Sequence, residues 1–169
     1  MYEQIERRLD TLEDEHSIYS LVELVTSIAP TWDYMVWAIQ KKGLFVTPNQ
    51  SLLLLQFVYA LGRKDSKFFN AIRPHATQLV ATCYRVARDR ESIRLFLHSW
   101  LMNAQWADLA KSALTTLRVA DNRADFDAMA KNLSDTDLRI HRGKLSRPIL
   151  QARLDALVKS LNILYSDAT

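Results

Sequence analysis

Side chains able to do chemistry are few in this chain and widely spaced. Its one cysteine is Cys83, and its four histidines are His16, His75, His98 and His141. No histidine stands four residues from another, and none pairs with Cys83 at metal-ligand spacing, so the sequence writes no metal site. A lone thiol acts as a nucleophile only when its pKa is depressed. Arg85 is close to Cys83, but Cys83 falls on an apolar stripe, where free cysteine behaves as a small buried hydrophobe. His98, between Leu97 and Trp100, reads as a helix-face residue rather than a ligand. Acid pairs occur at Asp125 with Asp127 and at Asp135 with Asp137, but in polar segments. Acid–base work needs a carboxyl group in a cleft with a shifted pKa. The three glycines are isolated, so there is no phosphate-cradling loop, and neither a Gly-x-Ser-x-Gly elbow nor a Cys-x-x-Cys pair is present. The expectation is a protein that is not an enzyme and uses no metal or cofactor.

The chemistry the sequence does offer is electrostatic. Net charge is +3, but the charges are segregated. Residues 1–15 hold six acids (Glu3, Glu6, Asp10, Glu13, Asp14 and Glu15) against Arg7 and Arg8. Residues 63–94 hold eight bases against three acids, and Arg63, Lys64, Lys67, Arg73, Arg85, Arg88, Arg90 and Arg94 form a candidate basic face. A third cluster, Arg139, Arg142, Lys144, Arg147, Arg153 and Lys159, faces only Asp155 within 139–159. Clustered positive charge favours anionic partners, whether nucleic acid, phosphopeptide or acidic lipid.

The elements that must position these groups read as helices throughout. At 169 residues with only 3 Gly and 4 Pro, the chain suits one domain of helices with short connections. Ile5, Leu9 and Leu12 make one apolar stripe, and Ile18, Leu21, Val22, Val25 and Ile28 make a second that ends at Pro30. Thr31 caps a third helix carrying Trp32, Met35, Val36 and Ile39, with Gly43 in the left-handed position past its end. Thr47, Pro48 and Gln50 form a helix start of the capping-box kind. The helix they open, Ser51 to Leu61, is apolar almost all round, which places it centrally, and Gly62 stops it. Helices follow over Phe68–Ile72, Ala76–Ala87, from Asp89 as cap to Leu101, Trp106–Val119 and Phe126–Leu133, then a loop-like stretch Ser134–Arg147. In the last helix Leu150, Leu154, Leu157, Leu161 and Leu164 repeat at coiled-coil spacing, a seam that packs on its own domain or joins a homodimer. Trp100 belongs to the core, while Trp32, Trp37 and Trp106 are candidates for partial exposure. Five residues turn a helix by roughly 500°, so Trp32 and Trp37 cannot share one narrow face, and at least one is a candidate contact residue. The whole predicts an all-α, right-handed superhelix of about eight to nine antiparallel-packed helices.

Several of these segments, in this order, resemble the CTD-interacting domain of mRNA 3′-end processing and termination factors, which shares its superhelical architecture with the VHS and ENTH domains. The resemblance covers residues 2–117. It is carried by the helix Tyr2–Leu12, by Ile18-Tyr19-Ser20-Leu21-Val22-Glu23-Leu24-Val25, and by Ser51-Leu52-Leu53-Leu54-Leu55-Gln56-Phe57-Val58-Tyr59-Ala60-Leu61. Lys67-Phe68-Phe69-Asn70-Ala71-Ile72, Leu79-Val80-Ala81-Thr82 and Arg90–Trp100 complete it. Residues 118–169 add C-terminal helices outside it. The resemblance implies a groove between helices two, four and seven that takes the phosphorylated C-terminal repeat of RNA polymerase II. Its residues here are Tyr19, Glu23, Gln56, Tyr59, Lys111 and Arg118. The chain departs from the family at the helix-four aspartate, where Tyr59 stands (or Val58, with a shift of one), and no acid occurs from Gln50 to Leu61.

The function expected on this resemblance is a protein-interaction module, binding a protein or phosphopeptide segment of a partner in transcription or RNA processing. Alternatives are a VHS- or ENTH-like trafficking adaptor and a helical scaffold that binds nucleic acid through residues 63–94. Membrane binding is disfavoured by the acidic N-terminal helix. The lone cysteine, the absence of an apolar run near the roughly 20 residues that span a bilayer, and an N-terminus without signal-peptide character point to a nuclear or cytoplasmic protein.

Overall fold

The computed structural model describes residues 2–121, with side chains through Arg118, and over that span it is all-helical with no strand. The helices are α1 (Tyr2–Asp10), α2 (Glu15–Ile28), α3 (Trp32–Phe45), α4 (Ser51–Lys64), α5 (Ser66–Ile72), α6 (Ala76–Val86), α7 (Arg90–Trp100) and α8 (Ala107–Asp121). A 3-10 turn, Arg73–His75, joins α5 to α6 around Pro74. The expected helix over Phe126–Leu133, the Leu150–Leu164 seam, the acid pairs and the third basic cluster lie outside the described residues. No helix among the described residues is long and apolar enough to cross a membrane.

Side-chain caps mark four of the eight described helix starts. The four orphan amides at a helix N-terminus need acceptors, and short polar side chains supply them. Thr31 Oγ1 accepts from Tyr34 N at 3.2 Å, and Asp89 Oδ1 accepts from Glu91 N at 3.1 Å, both as expected. Asp14 and Ser17 form a reciprocal capping box on α2: Asp14 Oδ1 takes the Ser17 amide at 2.8 Å, and Ser17 Oγ takes the Asp14 amide at 3.2 Å. Asp65 opens α5 by accepting from Lys67 N at 2.8 Å and Phe68 N at 3.1 Å. At its far end α2 stops on Ala29, which takes a left-handed conformation (φ 51°) just before Pro30.

The apolar face of α4 is the centre of the packing. Leu54, Leu55, Phe57, Val58 and Leu61 are buried, and α4 lies against α2, α3, α5 and α6. Its start differs from the expected one. Pro48 and Gln50 stand before the first turn, and Gln50 makes no side-chain cap bond to α4. Gln50 Oε1 nonetheless accepts the Thr47 amide at 3.5 Å, its half of the expected box, while the buried Gln50 Nε2 donates to Asp10 O at 2.8 Å and Leu12 O at 3.1 Å. It ties the α1–α2 connection to the head of α4, satisfying carbonyls that the short turn leaves without helical partners.

Both glycines named as helix stops lie inside helices instead. α3 continues through Gly43 to Phe45, and α4 continues through Gly62 to Lys64, neither glycine having a positive φ. Their role is close approach. A β-carbon on Gly43 would sit 2.8 Å from Leu79 Cδ1, and one on Gly62 would sit 2.5 Å from Trp106 Cζ2. Trp106, expected to be partly exposed, is fully buried because the turn after α7 folds its indole onto the bare backbone of α4. Trp100 is core, as expected. Trp32 and Trp37 are half-buried: Trp32 meets Phe68 edge-on at 5.6 Å, and Trp37 lies 5.7 Å from Tyr34.

Two opposing terms set the effect of Gly62→Ala. Helix propensity favours alanine by about 1 kcal/mol, and overpacking against a buried ring costs up to about 3 kcal/mol. Urea denaturation is expected to show a net loss of about 1–2 kcal/mol. In a Trp106→Phe background, where the offending ring carbons are gone, the same substitution is expected to be neutral or stabilising.

Candidate binding groove

The side of α4 that its neighbours leave uncovered carries Gln56, Tyr59, Ala60, Arg63 and Lys64. These positions follow the i, i+3, i+4, i+7, i+8 spacing of one helix face. With Glu15, Ile18 and Tyr19 of α2 and Phe96 of α7 they line a groove of about 470 Å³. Tyr19 is 64% exposed at its rim, one of few large apolar side chains so open to solvent. Tyr59 is fixed from behind. Its ring stacks on Trp100 at 5.7 Å and meets Trp106 edge-on at 4.9 Å and Phe96 edge-on at 5.7 Å. The Arg63 guanidinium lies 5.5 Å from the centre of the Tyr59 ring, a cation–π contact that keeps the charge at the groove surface. Arg63 and Lys64 are exposed and form no ion pair among the described residues, where Glu15 is the one acid in the lining.

Of the six residues singled out for the groove, Tyr19, Gln56 and Tyr59 come together here. Glu23 is exposed one turn beyond Tyr19 on α2 and outside the lining. Lys111 and Arg118 are exposed on α8, which packs on α6 and α7, and they too lie outside it. The groove's cations are instead Arg63 and Lys64, which the sequence reading placed on the basic face. Their spacing from Gln56 and Tyr59 was the available signal for them. Glu15, Ala60 and Phe96 carried no comparable mark.

The basic stretch 63–94 does not form one surface. Arg63, Lys64 and Lys67 gather where α4 turns into α5. Arg88 sits at the other end of α4, because its amide donates to Pro48 O at 3.4 Å, just before that helix begins. The 14 residues of α4 rise about 20 Å, so the two groups are held well apart. Arg90 and Arg94 serve internal packing. Arg90 donates through Nε to Tyr84 O and through Nη2 to Arg85 O, both at 3.1 Å. Arg94 Nη2 donates to the Tyr84 hydroxyl at 2.7 Å while Nη1 pairs with Glu91 at 3.3 Å. Both guanidiniums lie over the Tyr84 ring, at 4.8 and 5.6 Å. Arg88 Nη1 reaches Asn49 Oδ1 at 3.3 Å, and Arg73 is exposed in the 3-10 turn.

The remaining reactive side chains are placed for structure. Cys83 is fully buried, and burial pushes its thiol up to about 12, against the opposing pull of Arg85 and Lys42. His75 is half-buried, with Nδ1 3.0 Å from Gln40 Nε2, and burial lowers its pKa. A second cleft, between α1 and α3, is crossed by two ion pairs, Lys41–Glu6 at 3.2 Å and Lys42–Asp10 at 3.5 Å. Lys42 is almost wholly buried there. Nearby, burial first and Glu6 second raise the Tyr34 pKa, its hydroxyl lying 3.1 Å from Glu6 Oε2 and donating to Tyr2 O at 3.0 Å. Among the described residues no three His, Cys, Asp or Glu side chains gather in a way that could hold a metal ion.

No protein-family model matches this chain, and no curated protein or solved structure does.

The depressed His75 pKa carries a pH signature. A histidine whose folded-state pKa lies below its unfolded value of about 6.5 binds protons more readily in the unfolded chain. Its contribution to stability is therefore full above pH 6.5 and is lost as pH falls below that value. Urea midpoints measured at pH 7.5 and 5.5 are expected to drop in the wild-type chain and to drop less in His75→Gln, which keeps a hydrogen-bonding partner for Gln40.

Proposed function

We propose that this chain is a non-catalytic interaction module that seats an extended, phosphorylated peptide segment of a partner protein in the α2–α4–α7 groove. The observation that carries this reading is the convergence of Tyr19, Gln56 and Tyr59, singled out from sequence, on one open groove with two exposed cations. Such a lining suits an extended peptide. Apolar and aromatic walls give contact area, an amide gives backbone hydrogen bonds, and paired cations take a phosphate of about −1.5 to −2 charge. Separation of the basic residues into two groups weighs against a continuous nucleic-acid track or a flat lipid-facing surface.

The resemblance to CTD-interacting domains extends the proposal. On it, the helices wind as a right-handed superhelix of that type, about eight to nine helices in all. The partner is then the phosphorylated repeat of RNA polymerase II or a similar segment, in nuclear or cytoplasmic RNA synthesis or processing. Tyr59 in place of the family's aspartate removes the carboxylate that would hold the peptide's turn, which leaves the phosphate as the main electrostatic handle.

Fluorescence anisotropy with phosphorylated and unphosphorylated polymerase-repeat peptides tests the reading. The phosphorylated form is expected to bind more tightly, with an affinity that falls as salt rises. Arg63→Ala and Lys64→Ala are each expected to weaken it roughly tenfold, about 1.4 kcal/mol. Tyr19→Ala is expected to weaken both forms. Absence of binding to either peptide would remove the polymerase repeat as partner.

A further inference from the structure

The groove is electrically polarised along its length. Two contacts fix how its walls run. Gln50, at the head of α4, donates to Leu12 O just before α2 begins. At the other end Leu61, Lys64 and Asp65 share a cleft with Val25, Thr26 and Ala29, where α2 ends. α2 and α4 therefore run in the same direction. Glu15, in the first turn of α2, belongs to the head end of the groove, while Arg63 and Lys64 close the tail end. The same register sets Glu15 opposite the first turn of α4, about eleven residues before Arg63 and Lys64, an axial separation of about 17 Å. An extended peptide rises about 3.3 Å per residue and covers that distance in about five residues.

Resting on the peptide-groove reading, we infer that the groove selects a phosphopeptide that also carries a basic residue about five positions from its phosphorylated residue. The phosphate sits at Arg63 and Lys64, and the basic side chain sits at Glu15. Two adjacent cations match the charge of a phosphate better than that of a single carboxylate. Among the described residues Glu15 makes no ion pair, so a ligand cation meets it without displacing a partner from them. The same acid opposes a uniformly anionic ligand such as RNA, because a like charge at the groove head repels the backbone there. Glu15 thus acts as a specificity determinant: it adds attraction for one charge pattern and repulsion for the others.

Fluorescence anisotropy on the full chain tests this with eleven-residue peptides. Each carries a central phosphoserine and, five positions away on either side, Lys, Ala or Glu. Parallel peptides replace phosphoserine by Ser or Glu, and an oligouridylate serves as the nucleic-acid arm. The wild-type chain is expected to bind one Lys–phosphoserine order about tenfold more tightly than its Glu–phosphoserine counterpart, and more tightly than any unphosphorylated peptide. Glu15→Gln is expected to erase the Lys-over-Glu preference, and Glu15→Lys to invert it. Circular dichroism checks that α2 survives, since an acid in a first turn also favours the helix dipole. Equal binding of Lys- and Glu-bearing phosphopeptides, or a preference that persists in Glu15→Gln, would overturn the inference while leaving the peptide groove standing. Binding of no phosphopeptide at all would overturn the groove reading and this inference together. So would oligouridylate binding more tightly than every peptide and strengthening in Glu15→Gln.

Discussion

The seat of Trp106 on the bare backbone of Gly62 is the contact on which the groove depends. It brings the α7–α8 connection onto α4 at a distance that any side chain at residue 62 would prevent. Trp106 then stands against Trp100 at 4.8 Å and Phe69 at 4.9 Å, and with Phe96 these rings close round the back of Tyr59. Edge-to-face and offset-stacked rings of this kind contribute beyond the area they bury. Among the described residues, the buried indole N–H groups of Trp100 and Trp106 have no hydrogen-bond acceptor. An unmade bond of that kind costs on the order of 1–3 kcal/mol. Ring packing must exceed that cost for the connection to stay down. The consequence for binding is that Tyr59 forms a fixed floor and Phe96 a fixed wall, so little ordering entropy is left for a ligand to meet.

Charge is divided between holding the fold and lining the groove, and position along α4 decides which. At the head end, Arg90 and Arg94 clasp Tyr84 and bind α7 to the end of α6. Across α1 and α3, the stack of Tyr2 on Tyr34 at 4.2 Å and the pair Lys41–Glu6 perform a similar task. These cations have partners at short range and are poorly placed to receive a ligand. At the tail end of α4, Arg63 and Lys64 form no ion pair among the described residues, and the Tyr59 ring beside them presents the Arg63 guanidinium by its face. A count of bases in sequence could not make that division, because it depends on which helix ends meet.

Much of the architecture was legible. Apolar spacing located every described helix, and Thr31 and Asp89 were recognisable as caps because their side chains bond amides only two or three residues away. What escaped depended on distant contacts. Gly43 and Gly62 looked like stops by local conformation, yet each is required by a side chain from another helix, Leu79 and Trp106. Gln50 takes the Thr47 amide as its half of a capping box, but its Nε2 also reaches back to residues 10 and 12, which no local pattern announces. Within the groove, the central-helix residues were legible from the helix face they share. Lys111 and Arg118 were carried over from a resemblance, and α8 puts them elsewhere. Phe96 and Glu15 become groove residues only once α2 and α7 are laid beside α4.

A ligand seated in the α2–α4–α7 groove is the central claim, and backbone amide NMR of the isotopically labelled chain tests it most directly. Titration with a phosphopeptide is expected to shift the resonances of Tyr19, Gln56, Tyr59, Ala60 and Arg63, leaving Arg88, Lys111 and Arg118 unmoved. Shifts concentrated instead on Arg85–Arg94 or on α8, with the central-helix face silent, would contradict it.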